Sequence, residues 1–408
     1  MDRAACVERD LADPLADRRD AFVLPPGVLY LDGNSLGALP HGVAARLQAV
    51  VEQEWGNGLI RSWNDAGWVD LPARVAQRLA PLVGADADEV AVGDSTSVDL
   101  FKVLAAARTL RSDRRVLVTE QGNFPTDLYV AEGLARLLGD VEVRSVASAD
   151  LPAALTPDVA VLLLTHVDYR NGRRHDAAAL TAAAHAVGAL TVWDLAHSAG
   201  ALDVDLHGWN ADFAVGCSYK YLNGGPGAPG WLYAARRWHD TASTPIQGWF
   251  GHAEPFAFGP GYVPAADARR FLAGTPHVLS TAALEQALHA FDGVKPSDLD
   301  AKARSLTDTF VALVDERCGG EVEVASPRDP AVRGAQVALR HPRAYALTQA
   351  LIGRGVIGDH RPPDLVRLGF APLYVRHVDV YDAVEILADL LATGAWDRPE
   401  FHRRRTVT

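Results

Sequence analysis

Two short, largely apolar runs, Leu190 to Trp193 and Phe213 to Cys217, each give way at once to polar and then small residues. That pattern constrains the chain more than any other. Such runs, rich in β-branched and aromatic side chains, read as strands buried on both faces, the kind found in parallel sheets covered by helices. Asp194 then sits at the carboxyl end of one strand and Lys220 just past the end of the next, 26 positions on (220 minus 194). Open α/β sheets bind their ligands along that edge.

An acid and a lysine so placed suit pyridoxal phosphate, which needs a lysine amine for its Schiff base and an acid opposite its pyridinium nitrogen. The acid keeps that nitrogen protonated, so the ring accepts electrons from the substrate's α-carbon. Each residue alone has an ordinary explanation: Asp194 as a helix cap, Lys220 as a solvated surface lysine. The pair is flanked by His197 and Tyr219 and followed by Asn223-Gly-Gly-Pro-Gly227, and together these residues favour the cofactor.

Six blocks carry a further signal: YLDGNSLG (30–37), DSTSVDLFK (94–102), GNFPTD (122–127), WDLAHSAGA (193–201), GCSYKYLNGGPG (216–227) and GWFGH (248–252). With them the chain resembles, over nearly its whole length, the kynureninases, pyridoxal phosphate enzymes of the aminotransferase-like fold family. The resemblance implies hydrolysis of the Cβ–Cγ bond of L-kynurenine, or of 3-hydroxykynurenine, to the corresponding anthranilate and L-alanine in tryptophan degradation. It also implies a homodimer with active sites at the subunit interface.

Site residues follow in part from the residues and in part from the resemblance. Strand, hydroxyl-bearing loop and helix start, Glu89 to Val98, form the geometry that holds a phosphate, which makes Thr96 and Ser97 candidates; both are also ordinary N-caps. The resemblance places Phe124 on the pyridine face and Asp127 near the imine. It sends Trp249 and Thr275 across to the neighbour's cofactor or substrate, puts Trp63 near the substrate's aromatic ring, and puts Asn34 and Ser35 at the site's mouth. It gives Arg367 the substrate α-carboxylate, a task its two-point fork suits and a lysine cannot reproduce. Asp168, at another strand end, joins the substrate-binding candidates or serves the loop. His197 is expected to orient Asp194 through a hydrogen bond, and Tyr219 to carry protons beside Lys220. The family commonly has Asn where this chain has Asp99.

Alternating strands and helices from Glu89 to Tyr233, with glycine and polar clusters after most strands, predict an α/β fold. The expected architecture is a large domain with a mostly parallel seven-stranded sheet covered by helices, plus a smaller α+β C-terminal domain. Expected boundaries are 1–45 for an N-terminal arm, 46–291 for the large domain and 292–408 for the small one. A formal net charge of −12 with one basic run, Arg403 to Arg405, argues against a nucleic-acid surface. The opening residues carry Asp2, Glu8, Asp10 and Asp13 and no apolar core, and no run reaches membrane-spanning length, so a cytoplasmic protein is expected. Three separated cysteines and fourteen scattered histidines predict neither a disulfide framework nor a metal site.

Two rival readings remain. A cysteine desulfurase or aminotransferase would share the fold, but a desulfurase needs a mobile nucleophilic cysteine, and only Cys318, in a Cys-Gly-Gly context, is so placed. A non-catalytic scaffold would have no use for Asp194 and Lys220 together.

Overall fold

The computed structural model describes residues 1–404, so Arg405, the last residue of the basic run, lies outside them. Seven strands form the main sheet: β1 (Val90–Val92), β2 (Val116–Glu120), β3 (Glu142–Val146), β4 (Val159–Thr165), β5 (Leu190–Asp194), β6 (Phe213–Cys217) and β7 (Gly230–Ala234). Their spatial order is β1-β7-β6-β5-β4-β2-β3. Only β7 runs against its neighbours, pairing antiparallel with both β1 and β6. The carboxyl ends of β1, β2, β4, β5 and β6 therefore share one rim, and β7 brings its amino end, Gly230, to the same rim.

Strands β4 to β7 are buried at every position, and Trp193, Phe213 and Trp231 are among the largest fully buried side chains. Burying an aromatic or aliphatic side chain of this kind stabilises by roughly 1.5–3 kcal/mol. Helices cover the sheet, among them Thr96–Leu110, Pro125–Leu138 and Ala177–Ala186. The second ends at Gly139 in the left-handed region, φ +76°, where a glycine carries no Cβ penalty.

Helix starts lie earlier than periodicity predicts. The helix expected near Val98 begins at Thr96, and the helices whose apolar periodicity spans 128–138 and 306–314 begin at Pro125 and Pro296. Apolar spacing marks where a helix touches the core, whereas its first turn lies ahead of that contact, with proline at N1 in two of the three. The segment after Gly42 is α-helical over Val43–Ala49 and continues as a π-helix to Gly58, followed by Leu59 at φ +53°.

The C-terminal segment forms an antiparallel sheet of β8 (Glu323–Val324), β9 (Gln336–Arg340), β10 (Asp359–Arg361) and β11 (Leu365–Gly369), in the order β8-β9-β11-β10. Long helices Pro296–Arg317 and His377–Thr393 pack together beside it. The N-terminal arm joins this region: Leu29–Tyr30 pairs with Val356–Ile357, Asp32 bridges Gly369, and Asp10 accepts from the backbone N–H of His377 at 2.6 Å. Among the described residues no helix is long and apolar enough to cross a membrane.

Candidate active site

The five strand ends on the rim enclose a cavity of about 320 Å³. Each contributes side chains: Thr96 and Ser97 after β1, Phe124 and Asp127 after β2, Thr165 and Tyr169 at the end of β4, Asp194 and His197 after β5, Tyr219 and Lys220 after β6. Eight residues singled out in the sequence thus meet around one space.

On one side of the cavity, Lys220 Nζ lies 2.9 Å from His197 Nε2 and 5.9 Å from the centre of the Phe124 ring. Two carboxyls, Asp194 and Asp127, are buried and close enough for each to shift the other's titration. Burial, and then the Asp194 charge, holds Asp127 well above the usual carboxyl range; burial raises Asp194 too, against the N–H of Ala196 and the Lys220 charge. Thr165 Oγ1 donates to Asp127 Oδ2 at 3.1 Å, and the N–H of Ala196 to Asp194 Oδ1 at 2.7 Å. Such a pair retains a proton between its members.

At the opposite wall the helix Thr96–Leu110 opens at Ser95, which makes no side-chain capping bond. Its first-turn amides have no intrahelical partners, and a helix start left in that state favours an anion. Gly230 lies against it so closely that a Cβ there would come within 2.7 Å of Thr96 N and 2.8 Å of Ser95 C. Behind the cradle, Lys102 is buried, contacts Asp94 and lies 3.5 Å from Asp99 Oδ1. Burial pushes the Asp99 carboxyl well up, and its Oδ2 has no hydrogen-bond partner.

His197 departs from expectation. It makes no hydrogen bond to Asp194; its Nδ1 is 2.8 Å from Gln336 Oε1 and its Nε2 faces Lys220. The backbone turn after β5 aims the ring away from the carboxylate, and the Ala196 amide holds Asp194 instead. Burial, then the charges of Lys220 and Arg367, keeps the imidazole well below its usual value, so the ring is neutral. Burial raises the phenol of Tyr219.

Arg367 lies outside the cavity lining, one residue removed from it, since its Nη1 contacts the carbonyl of Tyr169. Its fork grips Asp359 through Nε (2.8 Å) and Nη2, and Nη2 also reaches Ser35 Oγ at 2.9 Å. With its amide oxygen turned to the guanidinium, Asn34 accepts from Nε at 2.9 Å and Nη2 at 3.1 Å. Asn34, Ser35 and Arg367, far apart in sequence, therefore form one cluster. Asp168 is engaged by its own loop, Oδ1 accepting from the amides of Arg170 and Asn171 at 2.8 Å each.

Trp63, Trp249 and Thr275 do not line this chain's cavity. Trp63 packs edge-on against Trp249 at 6.0 Å and beside Phe250 and Phe256; Thr275 lines a separate cleft with Gly93, Asp94 and His277. Cys318 is buried, and burial raises its thiol to about 11, which does not suit a mobile nucleophile. Cys217 is buried and lines the cavity. Sequence reasoning missed Thr165, Tyr169, Gln336 and Asp359. Thr165 carried a usable signal as the last residue of a buried run; the others are joined to the site only by the fold.

Lysine, paired acids, aromatic face and uncapped helix start are the donor set that pyridoxal phosphate requires, and the residues present fit it. A family profile described as the kynureninase C-terminal domain matches residues 299–387. Curated relatives named kynureninase include those of Burkholderia mallei, 51% identical over 100% of this chain and 99% of the relative, and Pseudomonas fluorescens, 50% identical over the same shares. The one from Deinococcus radiodurans is 55% identical over 96% of this chain and 97% of its own. Among solved structures, a cysteine desulfurase from Thermococcus onnurineus superposes with a TM-score of 0.77 at 19% identity, covering 92% of this chain and 98% of that one. The desulfurase CsdA of Escherichia coli gives 0.75 at 20% identity, covering 93% and 98%. At these identities the structures share the fold, the aminotransferase-like architecture of pyridoxal phosphate enzymes. Matched along its whole length at about half identity, the chain belongs to the kynureninase family.

Proposed function

We propose that the protein binds pyridoxal phosphate on Lys220 and hydrolyses the Cβ–Cγ bond of L-kynurenine or a ring-hydroxylated form, releasing an anthranilate and L-alanine. The observation that carries this reading is the convergence on one cavity of the Lys220 amine, the Asp194–Asp127 pair and the uncapped helix start at Thr96. When bound, the cofactor supplies an electron sink for negative charge developing first at the substrate's α-carbon and later at its β-carbon.

The chain's own residues divide the remaining work. Thr96, Ser97 and the first-turn amides hold the phosphate, and Phe124 flanks the ring. Asp194, kept anionic while Asp127 retains the shared proton, faces the ring nitrogen and keeps it protonated. Lys220 Nζ takes the α-proton, with His197 Nε2 beside it as acceptor for the amine's N–H. After water has added to the ketone, Tyr219, whose raised phenol stays protonated at neutral pH, gives its proton to the β-carbon as the aryl product leaves and regains one from the hydrate O–H that becomes the product's carboxyl. Arg367 binds the α-carboxylate by exchanging one arm of its Asp359 contact for the substrate. In a homodimer, Trp249 and Thr275 reach the partner's site, which accounts for their distance from the cavity in their own chain.

The test is spectroscopic and chemical. Wild-type protein incubated with the cofactor is expected to absorb in the visible and to release anthranilate and alanine from kynurenine, and Lys220→Ala to lose both. A colourless wild type, or release of sulfide from cysteine in place of those products, sinks the reading.

A further inference from the structure

We infer that Gln336 is a positioning residue: from the C-terminal sheet it fixes the tautomer of His197 and so keeps the lone pair of the Lys220 amine free. Lys220 alone leaves the tautomer undecided. As an ammonium it only donates to Nε2, 2.9 Å away; as the free amine that acts as base it can donate to a bare ring nitrogen or accept from a protonated one. Gln336 removes the ambiguity. Its Nε2 donates to the carbonyls of Asp168 at 3.0 Å and Tyr169 at 3.1 Å, two groups that can only accept. The amide oxygen must therefore be the atom 2.8 Å from His197 Nδ1, and an oxygen there requires Nδ1–H. Nε2 is then left bare and accepts an N–H of Lys220.

The consequence lies in which electrons of Lys220 are engaged. With Nε2 as acceptor, the amine is held through a hydrogen, and its lone pair points elsewhere. In the other tautomer Nε2–H would bind that lone pair, the electrons the amine needs to act as base or nucleophile. No second group competes for the ring, since Gln336 and Lys220 are its only hydrogen-bond partners among the described residues. Gln336 stands at the first position of β9 and His197 in the loop after β5, so the C-terminal sheet sets the protonation pattern beside a lysine of the main sheet.

The effect on turnover rests on the proposed role of Lys220, whereas the tautomer does not, and the experiment separates the two. Histidine labelled with 15N in the rings distinguishes Nδ1–H from Nε2–H by nitrogen shift in the full-length protein, before and after the cofactor is added. The His197 signal is assigned by its loss in His197→Asn. Wild type is expected to show Nδ1–H in the cofactor-free protein. Gln336→Leu, which removes the acceptor, is expected to gain Nε2–H at His197 as rising pH frees the Lys220 amine, where wild type holds Nδ1–H throughout, and to lower kcat by at least about tenfold. Gln336→Glu keeps an oxygen at that place and, with its second oxygen protonated against the carbonyls of Asp168 and Tyr169, is expected to retain Nδ1–H and recover most of kcat. An Nε2–H signal in wild type or in Gln336→Glu, or an unchanged Nδ1–H signal in Gln336→Leu, overturns the inference. Loss of visible absorbance in wild type would instead overturn the function while leaving the tautomer result standing.

Discussion

At Asp32, burial and then the neighbouring Asp359 carboxylate push the acid up to about 7. One of its oxygens, Oδ1, is buried without a partner. A carboxyl whose folded value is raised contributes stability that is complete below the unfolded value near 4 and is lost as pH rises through about 7. Asp32→Asn is therefore expected to flatten the pH dependence of unfolding between pH 4 and 7 and to stabilise the protein at pH 8, as urea titrations at both ends would show. An unchanged slope would mean that Asp32 is ionised throughout. At Arg367 the matter is geometry rather than charge. Lysine keeps the charge but loses the fork that holds Asp359 and, in the proposed reaction, the substrate. Arg367→Lys is expected to raise KM by roughly thirtyfold, about 2 kcal/mol of lost charge-assisted bonding, with a smaller change in kcat. A KM within a factor of two of wild type would remove Arg367 from substrate binding.

Among the elements, the helix Thr96–Leu110 and strand β7 make the anion cradle together. The helix supplies amides left uncapped by Ser95, and β7 supplies Gly230, where a side chain would collide with Thr96 N and Ser95 C. Gly230→Ala has backbone atoms to displace, so the cradle must open. The expected result is cofactor affinity weakened at least about tenfold, since about 1.4 kcal/mol of lost phosphate contact suffices, with the circular dichroism spectrum retained. Fluorescence titration with the cofactor measures it, and wild-type affinity would show that the cradle yields without cost. Much of this was legible beforehand: a strand, a Ser-Thr-Ser loop and a helix start could be read at 90–98. Its partner was not, because nothing in local sequence says that β7 enters the sheet between β1 and β6 in reverse.

For the whole molecule, Trp249 and Thr275 lie away from the cavity of their own chain. If each site is completed by the neighbouring subunit, Lys220→Ala and Trp249→Ala chains should complement each other. Random pairing makes half the dimers mixed, each with one intact site of two, so mixing and reassembly should restore about a quarter of wild-type activity from two weak parents. Activity no higher than the parents' average would place Trp249 in its own chain's site or in the aromatic packing alone.

The strands and the strand-end chemistry could be read from the residues in order, because both are local. A run of buried side chains declares a strand, and the residue that follows it must fall on the rim; Asp194, Lys220 and Thr96 were visible in that way, whereas Asp127 came from the family resemblance. What each polar group faces came from the folded arrangement alone. His197 was expected beside Asp194, three positions away, yet turns to Gln336 and Lys220. Asn34 and Ser35 meet Arg367 across more than three hundred residues. Hydrogen bonds act over about 3 Å and are indifferent to separation along the chain, so their pairing is written in the packing of the two sheets and not in spacing.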